Sequence, residues 1–325
     1  MPFYKIGTIG DKADAYISKK LFEEYKQRYN YPKCGEVMIT CAGTVGKTIL
    51  YNGQDAYYQD SNIVWISNPR KIYSNEFLNY LLNRVDWSKL NSTTITRIYN
   101  DNLRELHITF PSREEQDKIV SLLTRIDDRI DTQSKIIEEQ ETLLRSLRHK
   151  IYSRVQAESQ CTIADVLCYE QPTKYLVTDT DYTDDDSQVP VLTANKAFIL
   201  GYTTENFGIY DKGPCIILDD FTLDCKYVDF KFKVKSSAIK ILRAKAKTNL
   251  RFIFEYFRFL ALNTTEHRRH YIAEIEPMSI LLPSNEEIDR IARLFTALDE
   301  RLEAARKELK ILESQKMYML QKMFI

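Results

Sequence analysis

"PSREEQDKIVSLLTRIDDRID", residues 111 to 131, returns 172 residues later as "PSNEEIDRIARLFTALDERLE", residues 283 to 303. The Pro, the Ser, both Glu and the Asp, Ile, Leu, Thr, Asp and Arg behind them keep their places. A copy at about half the chain length points to a duplicated unit of domain plus helix, since solenoid repeats run at about 20 to 50 residues. In each copy Ser112 or Ser284 precedes Glu115 or Glu287 by three positions, the reciprocal capping box that opens a helix.

Behind the first cap, apolar residues alternate at spacings of four and three: Ile119, Leu123, Ile126, Ile130, Ile137, Leu144, Leu147 and Ile151, with Gln133 and Gln140 filling the remaining seam positions. The second copy places Ile291, Phe295, Leu298, Leu302, Ala305, Leu309, Leu312, Lys316, Met319 and Met323 on the matching stripe. A helix from about 113 to 154 would be roughly 60 Å long at about 1.5 Å per residue. So narrow a seam, flanked by charge, needs a partner helix rather than a domain surface. The second copy is that partner, and because a whole domain lies between the copies the pair is expected to be antiparallel. Gln133, Gln140 and Lys316 are read either as register-setting or as tolerated polar interruptions.

The fold class is therefore α+β, with domains at 1–110 and 159–282 and long helices at 111–158 and 283–325. The first domain offers the β-type runs "EVMIT", "KTILY", "SNIVWIS" and "LHITF" and a helix near 74 to 89; the second offers "PVLT", "PCIILDD", "YVDFKFKVK", "AIKILR" and "SILLP" and a helix near 247 to 262.

Several function classes recede on composition and spacing. The 325 residues carry 46 basic and 46 acidic side chains, so a nucleic-acid surface must be local. No stretch approaches the roughly 20 apolar residues of a membrane span, and the cytoplasm is the expected location. Six cysteines without C-x-x-C pairs read as small buried hydrophobes. Gly46-Lys47-Thr48 resembles the end of a phosphate loop, but Cys41 stands where its first glycine belongs and "TILYNG" is β-type, where a helix should begin. The acidic run 178–188 lacks the glycine and terminal glutamate of a calcium loop and reads as a solvated loop. In "DDFTLDCK", Asp224 and Lys226 have nuclease-like spacing without a distant acidic partner.

The order of motifs resembles the DNA-specificity subunits of type I restriction-modification systems. The resemblance rests on "GEVMITCAGTVGK", "YYQDSNIVWI" and "STTITRIYNDNLRELHITFPSREEQDKI" in the first half, and on "VPVLTANKAFILGYT", "GPCIILDDFT", "HRRHYI" and "LLPSNEEIDRIARLFTALDERL" in the second. It implies two target-recognition domains held apart by an antiparallel coiled coil, each reading half of a split site in double-stranded DNA. It also implies docking of DNA-adenine methyltransferase subunits and restriction subunits, with no catalysis and no cofactor in this chain. Aligning Pro2 with Pro190 leaves "CTIADVLCYEQPTKYLVTDTDY" without a counterpart, so a shortened first domain is expected. The competing readings are a coiled-coil adaptor without DNA, then a P-loop ATPase or metal nuclease.

Contacts to DNA need cations and hydroxyls for phosphates, and bidentate groups for base edges. His267, Arg268, Arg269 and His270 are the strongest candidates, supplying local positive charge in a balanced chain; the alternative, metal ligation by the two histidines, lacks a third ligand. In the first half, Thr94 and Arg97 lie in the matching loop. Thr44 and Lys47, and in the second half Lys196, Tyr202, Thr203, Thr222 and Lys226, are candidates by the positions the resemblance implies.

Overall fold

The computed structural model describes residues 1–58, 62–90, 97–193, 197–245, 248–266 and 268–324. The chain divides into two units, Met1–Ser134 with Lys307–Ile325, and Lys135–Arg306. Each unit thus holds one globular part, the first portion of one long helix and a portion of the other.

In the first unit, β1 (Pro2–Tyr4) pairs antiparallel with β2 (Ala15–Tyr16), and α1 (Lys19–Arg28) follows behind the Ser18 cap. Next come β3 (Val37–Thr40), β4 (Thr48–Leu50), β5 (Tyr57–Tyr58) and β6 (Ile63–Ile66). β5 runs parallel to β1, giving the order β2-β1-β5, while β4-β3-β6 form an antiparallel second sheet. All four β3 residues are buried, which accounts for its unbroken apolar run. Val37 and Ile39 pack with Leu78 and Leu82 of α2 (Asn75–Arg84), and Met38 packs with Ile9 and Tyr51. After the short α3 (Asn100–Arg104), α4 (Arg113–Tyr152) starts at the capping box. There the Glu115 N–H donates to Ser112 Oγ (3.3 Å) and the Ser112 N–H to the Glu115 carboxylate (3.1 Å).

The second unit opens with β7 (Ser159–Thr162), α5 (Ile163–Val166) and β8 (Leu167–Glu170). It continues with β9 (Val189–Leu192), β10 (Ile199–Thr203), β11 (Cys215–Asp219), β12 (Cys225–Val228), β13 (Lys233–Val234) and β14 (Ile239–Ala244). It closes with α6 (Leu250–Leu260), β15 (Ser279–Leu282) and α7 (Asn285–Met323). The order β10-β9-β13, with β13 parallel, repeats β2-β1-β5; β12-β11-β14 repeats β4-β3-β6 in register, Ile216 facing Leu242 as Val37 faces Ile66.

One difference between the units is specific. β8 extends the second sheet beside β14, and β7 pairs with β15. Among the described residues of the first unit, nothing pairs with the outer edge of β6 or with 106–110. The run "LHITF", expected as a strand, forms none. Its counterpart "SILL" is a strand because β7 supplies backbone partners; β propensity without a neighbour leaves the ladder unformed.

Within each unit, the seam residues of α4 and α7 are turned inward. Ile119 and Leu123 pack with Leu320, Phe324 and Phe77 of α2 in the first unit, where Ile126 and Leu312 are also buried and Ile130 and Leu309 half-buried. In the second unit Ile137, Leu144 and Leu147 share a cluster with Ile291, Phe295, Leu298 and Leu302. Polar clasps accompany both. The Tyr80 hydroxyl donates to Asp127 (2.7 Å), which also meets the Lys316 ammonium (2.6 Å). At the repeat-equivalent Asp299, Arg251 and Arg258 bind, and the wholly buried Glu255 bridges Arg251 to Arg148, each at 2.8 Å. Among the described residues no helix is long and apolar enough to cross a membrane.

Candidate nucleic-acid interface

The Gly-Lys-Thr stretch forms the tip of the β3–β4 hairpin. Thr40 closes it: its N–H donates to the Lys47 carbonyl (3.0 Å), its carbonyl accepts the Gly46 N–H (2.8 Å), and its hydroxyl bonds the Thr44 carbonyl. Gly46 has φ +84°, and a Cβ there would stand 2.1 Å from the Trp87 ring, so the turn requires glycine. Thr44 is exposed; Lys47 is half-buried and pairs with Asp11 (2.9 Å). β4 starts immediately afterwards, so the turn presents no helix N-terminus to a nucleotide. The Ile98 N–H donates to the Cys41 carbonyl (2.9 Å), which fixes the following chain against the tip and brings Arg97 beside it, 5.8 Å from the Tyr99 ring centroid. Thr94 lies outside the described residues.

The β11–β12 tip is built on the same plan with stronger polar chemistry. The Asp219 carboxylate accepts the Phe221 and Thr222 N–H groups (both 2.9 Å), shaping the turn and leaving Thr222 exposed. Asp220 and Lys240 form a buried ion pair at 3.4 Å, each side chain 2 % exposed. The Asp220 carbonyl and carboxylate both accept the His270 N–H, and the carboxylate also takes the Tyr271 N–H (2.8 Å). Ile98 on Cys41 and His270 on Asp220 are the same contact, one repeat apart. The acidic doublet Asp219-Asp220 is occupied in closing a turn and latching a loop.

His270 is 1 % exposed, so burial removes its ring from the list of surface contacts and makes it the loop's anchor. Its Nε2 reaches the Glu266 carbonyl (3.2 Å) and Thr264 Oγ1 (3.1 Å), and its Nδ1 reaches the Glu274 carboxylate (3.0 Å). The Glu266 carbonyl first, and then Glu274, hold its pKa above the ordinary 6.5. Arg268 is half exposed and tied to Glu266 (2.5 Å) and Glu274. Arg269 is exposed and has no acidic partner among the described residues. His267 lies outside the described residues.

The remaining candidates are placed differently. Lys226 lies on β12, half-buried, opposite Ile217. Tyr202 and Thr203 belong to β10 in the other sheet, where Thr203 is buried and its hydroxyl accepts the Glu205 N–H (3.2 Å). Lys196 is outside the described residues. The structure thus brings Thr44, Lys47 and Arg97 together in one unit, and Thr222, Arg268 and Arg269 in the other. Sequence reasoning missed Lys240; a lysine inside the apolar run "AIKILR" was the available signal, since a buried ammonium requires a carboxylate. What the clusters offer chemically is ammonium and hydroxyl groups at hairpin tips and guanidinium groups on the loops latched to them, suited to phosphate oxygens and guanine edges. Among the described residues no group of three or more His, Cys, Asp or Glu side chains is gathered to hold a metal ion.

A family model described as the type I restriction modification DNA specificity domain matches residues 1–142. Over these residues the chain is similar to that specificity-domain family. A type I restriction enzyme specificity subunit of Haemophilus influenzae is 47% identical over 127 residues, which are 39% of this chain and 33% of the relative. The EcoR124I/EcoR124II specificity subunit of Escherichia coli is 42% identical over 158 residues, 44% of this chain and 39% of the relative. The chain therefore matches only about a third to two fifths of the length of these specificity subunits. A crystal structure of the type I S subunit from M. genitalium shares the fold across 100% of this chain and 88% of that one, with a TM-score of 0.67 and 14% identity.

Proposed function

We propose that the chain is the non-catalytic DNA-recognition component of a type I restriction-modification complex. Each unit presents one target-recognition domain to half of a bipartite, asymmetric site in duplex DNA. The observation that carries the reading is the doubled hairpin tip with its latched loop: Ile98 on Cys41 and His270 on Asp220 set two cation- and hydroxyl-bearing surfaces in equivalent places. Arg97 and Arg269 match, but Asp224 stands at the hairpin position equivalent to Lys47 and His270 at that of Ile98, so the two half-sites differ in sequence.

The paired seams of α4 and α7 support one antiparallel coiled coil that spaces the two readers. The outer faces of these helices suit partner docking. Leu122 and its repeat-equivalent Leu294 are both 40 % exposed, as two copies of one partner would require, and Ile311 and Tyr318 add a second apolar strip one heptad apart. Methyltransferase and restriction subunits are the partners this reading assigns to those faces.

The test is selection from random duplexes by the chain co-purified with its methyltransferase subunits. Enrichment of one split motif, without ATP hydrolysis or DNA cleavage by the chain alone, is expected. A complex that assembles yet enriches no sequence removes the reading in favour of an adaptor that binds only protein.

A further inference from the structure

Arg268 and Arg269 are neighbours in one loop, and the fold treats them differently. Arg269 is exposed without an acidic partner among the described residues, whereas the Arg268 guanidinium is gripped by two carboxylates: its Nε donates to Glu266 (2.5 Å) and its Nη2 pairs with Glu274. Glu274 is itself held in place. Its N–H donates to the His270 carbonyl (2.9 Å), and its carboxylate lies 3.0 Å from His270 Nδ1. The His270 N–H hangs on the Asp220 carboxylate (3.1 Å), and Asp220 on the buried Lys240 ammonium (3.4 Å). A continuous polar chain thus runs from β14 and the end of β11 to a guanidinium that is about half exposed.

Two physical consequences separate this guanidinium from its neighbour. First, its charge is cancelled locally: Glu266 and Glu274 outweigh Arg268, and a protonated His270 only brings the sum to balance. A phosphate, which is drawn by net positive charge, gains little at such a place. Second, its hydrogen-bonding capacity is not exhausted. Nη1 has no partner among the described residues, so it keeps both its N–H groups, and Nη2 has a second one. That is a planar fork for two acceptors side by side. Guanine alone among the bases presents such a pair, O6 and N7, on its major-groove edge, and neither atom needs net charge to be attracted. Fixing the side chain within the fold also removes rotamer freedom that a loose arginine would lose on binding.

We propose that Arg268 reads a guanine in the half-site of the second unit by a bidentate contact to O6 and N7, with Glu266 and Glu274 as its positioning residues, while Arg269 meets a phosphate. The assignment rests on the DNA-recognition reading and deepens it. It also belongs to one unit only. Thr94, Thr96 and Asn102 stand where Glu266, Arg268 and Glu274 stand one repeat later, and the Asn102 side chain is turned to accept the Tyr99 N–H (2.8 Å).

The test uses the full chain co-purified with its methyltransferase subunits, and measures binding to duplexes that carry each of the four base pairs at every position of the enriched motif. Arg268→Lys keeps the charge and loses the fork. It is expected to lower the preference for guanine at one position by about tenfold, with other positions, non-specific affinity and the salt slope unchanged. Glu266→Gln leaves the His270 anchor on the Glu266 backbone carbonyl and is expected to weaken the same single preference. A motif that survives Arg268→Lys intact overturns the assignment. So does a loss in Arg268→Ala that is equal for all sequences and comes with a shallower salt slope, the mark of a phosphate contact. An unchanged motif in Glu266→Gln, with or without tighter binding to every sequence, overturns the positioning role. A wild-type complex that assembles and enriches no motif fails the recognition reading itself and this assignment with it, whereas a wild-type motif indifferent to Arg268 fails this assignment alone.

Discussion

Arg269 carries the plainest single-residue consequence of the second hairpin tip. An exposed guanidinium with no acidic partner among the described residues is placed to meet a phosphate, whereas Arg268 is held by Glu266 and Glu274. Arg269→Ala is expected to weaken DNA binding by the assembled complex and to lower the slope of log affinity against log salt by about 0.9, the contribution of one phosphate contact. An unchanged slope in a salt titration takes Arg269 off the surface. His270 gives a pH dependence instead. Its folded pKa lies above 6.5, so the imidazolium's contribution to loop docking is full below that ordinary value and is lost as pH rises through the raised one. Amide exchange at Glu274 and Glu276, whose N–H groups bond back to His270 and Tyr271, is expected to speed up with alkaline pH beyond the intrinsic base-catalysed rise, and His270→Gln to flatten that excess. The cation cluster was legible in the sequence because four such residues in a row are conspicuous in a neutral chain. The division of labour within it was not, since burying His270 and freeing Arg269 depend on Asp220, which is fifty residues away and reaches the loop only in the fold.

Among the elements, the long helices were the most legible, because a four-three alternation behind a capping box is local information. The strands β3 and β4 were legible for the same reason, as the β-type runs "EVMIT" and "KTILY". The strand expected at 106–110 was not formed, because a strand needs a neighbour and sequence pattern does not report who is next to it. Nor did pattern reveal the clasps that hold each helix to its domain. In the second unit Glu255 is fully buried among Arg148, Arg251 and Arg258. Glu255→Ala leaves buried guanidinium groups without their carboxylate and is expected to destabilise this unit by about 3–5 kcal/mol, the usual cost of breaking a buried pair. Urea unfolding followed by exchange at α6 checks this; a loss under about 1 kcal/mol would mean that water already screens the network.

As a whole, the molecule is one plan used twice, and its doubling was visible in the sequence before any coordinates. Each unit pairs a small three-stranded sheet containing a parallel ladder with an antiparallel sheet, three-stranded in the first unit and four-stranded in the second, sets a latched loop on a hairpin tip, and carries inward-facing seam residues from α4 and α7. On the proposed reading, each copy serves one of two unlike half-sites. The most direct measurement of that claim is sequencing of adenine methylation in a restriction-deficient host expressing this chain with its methyltransferase subunits. One asymmetric motif split by a fixed gap is the predicted result. A contiguous motif, or none from an assembled complex, would contradict the account.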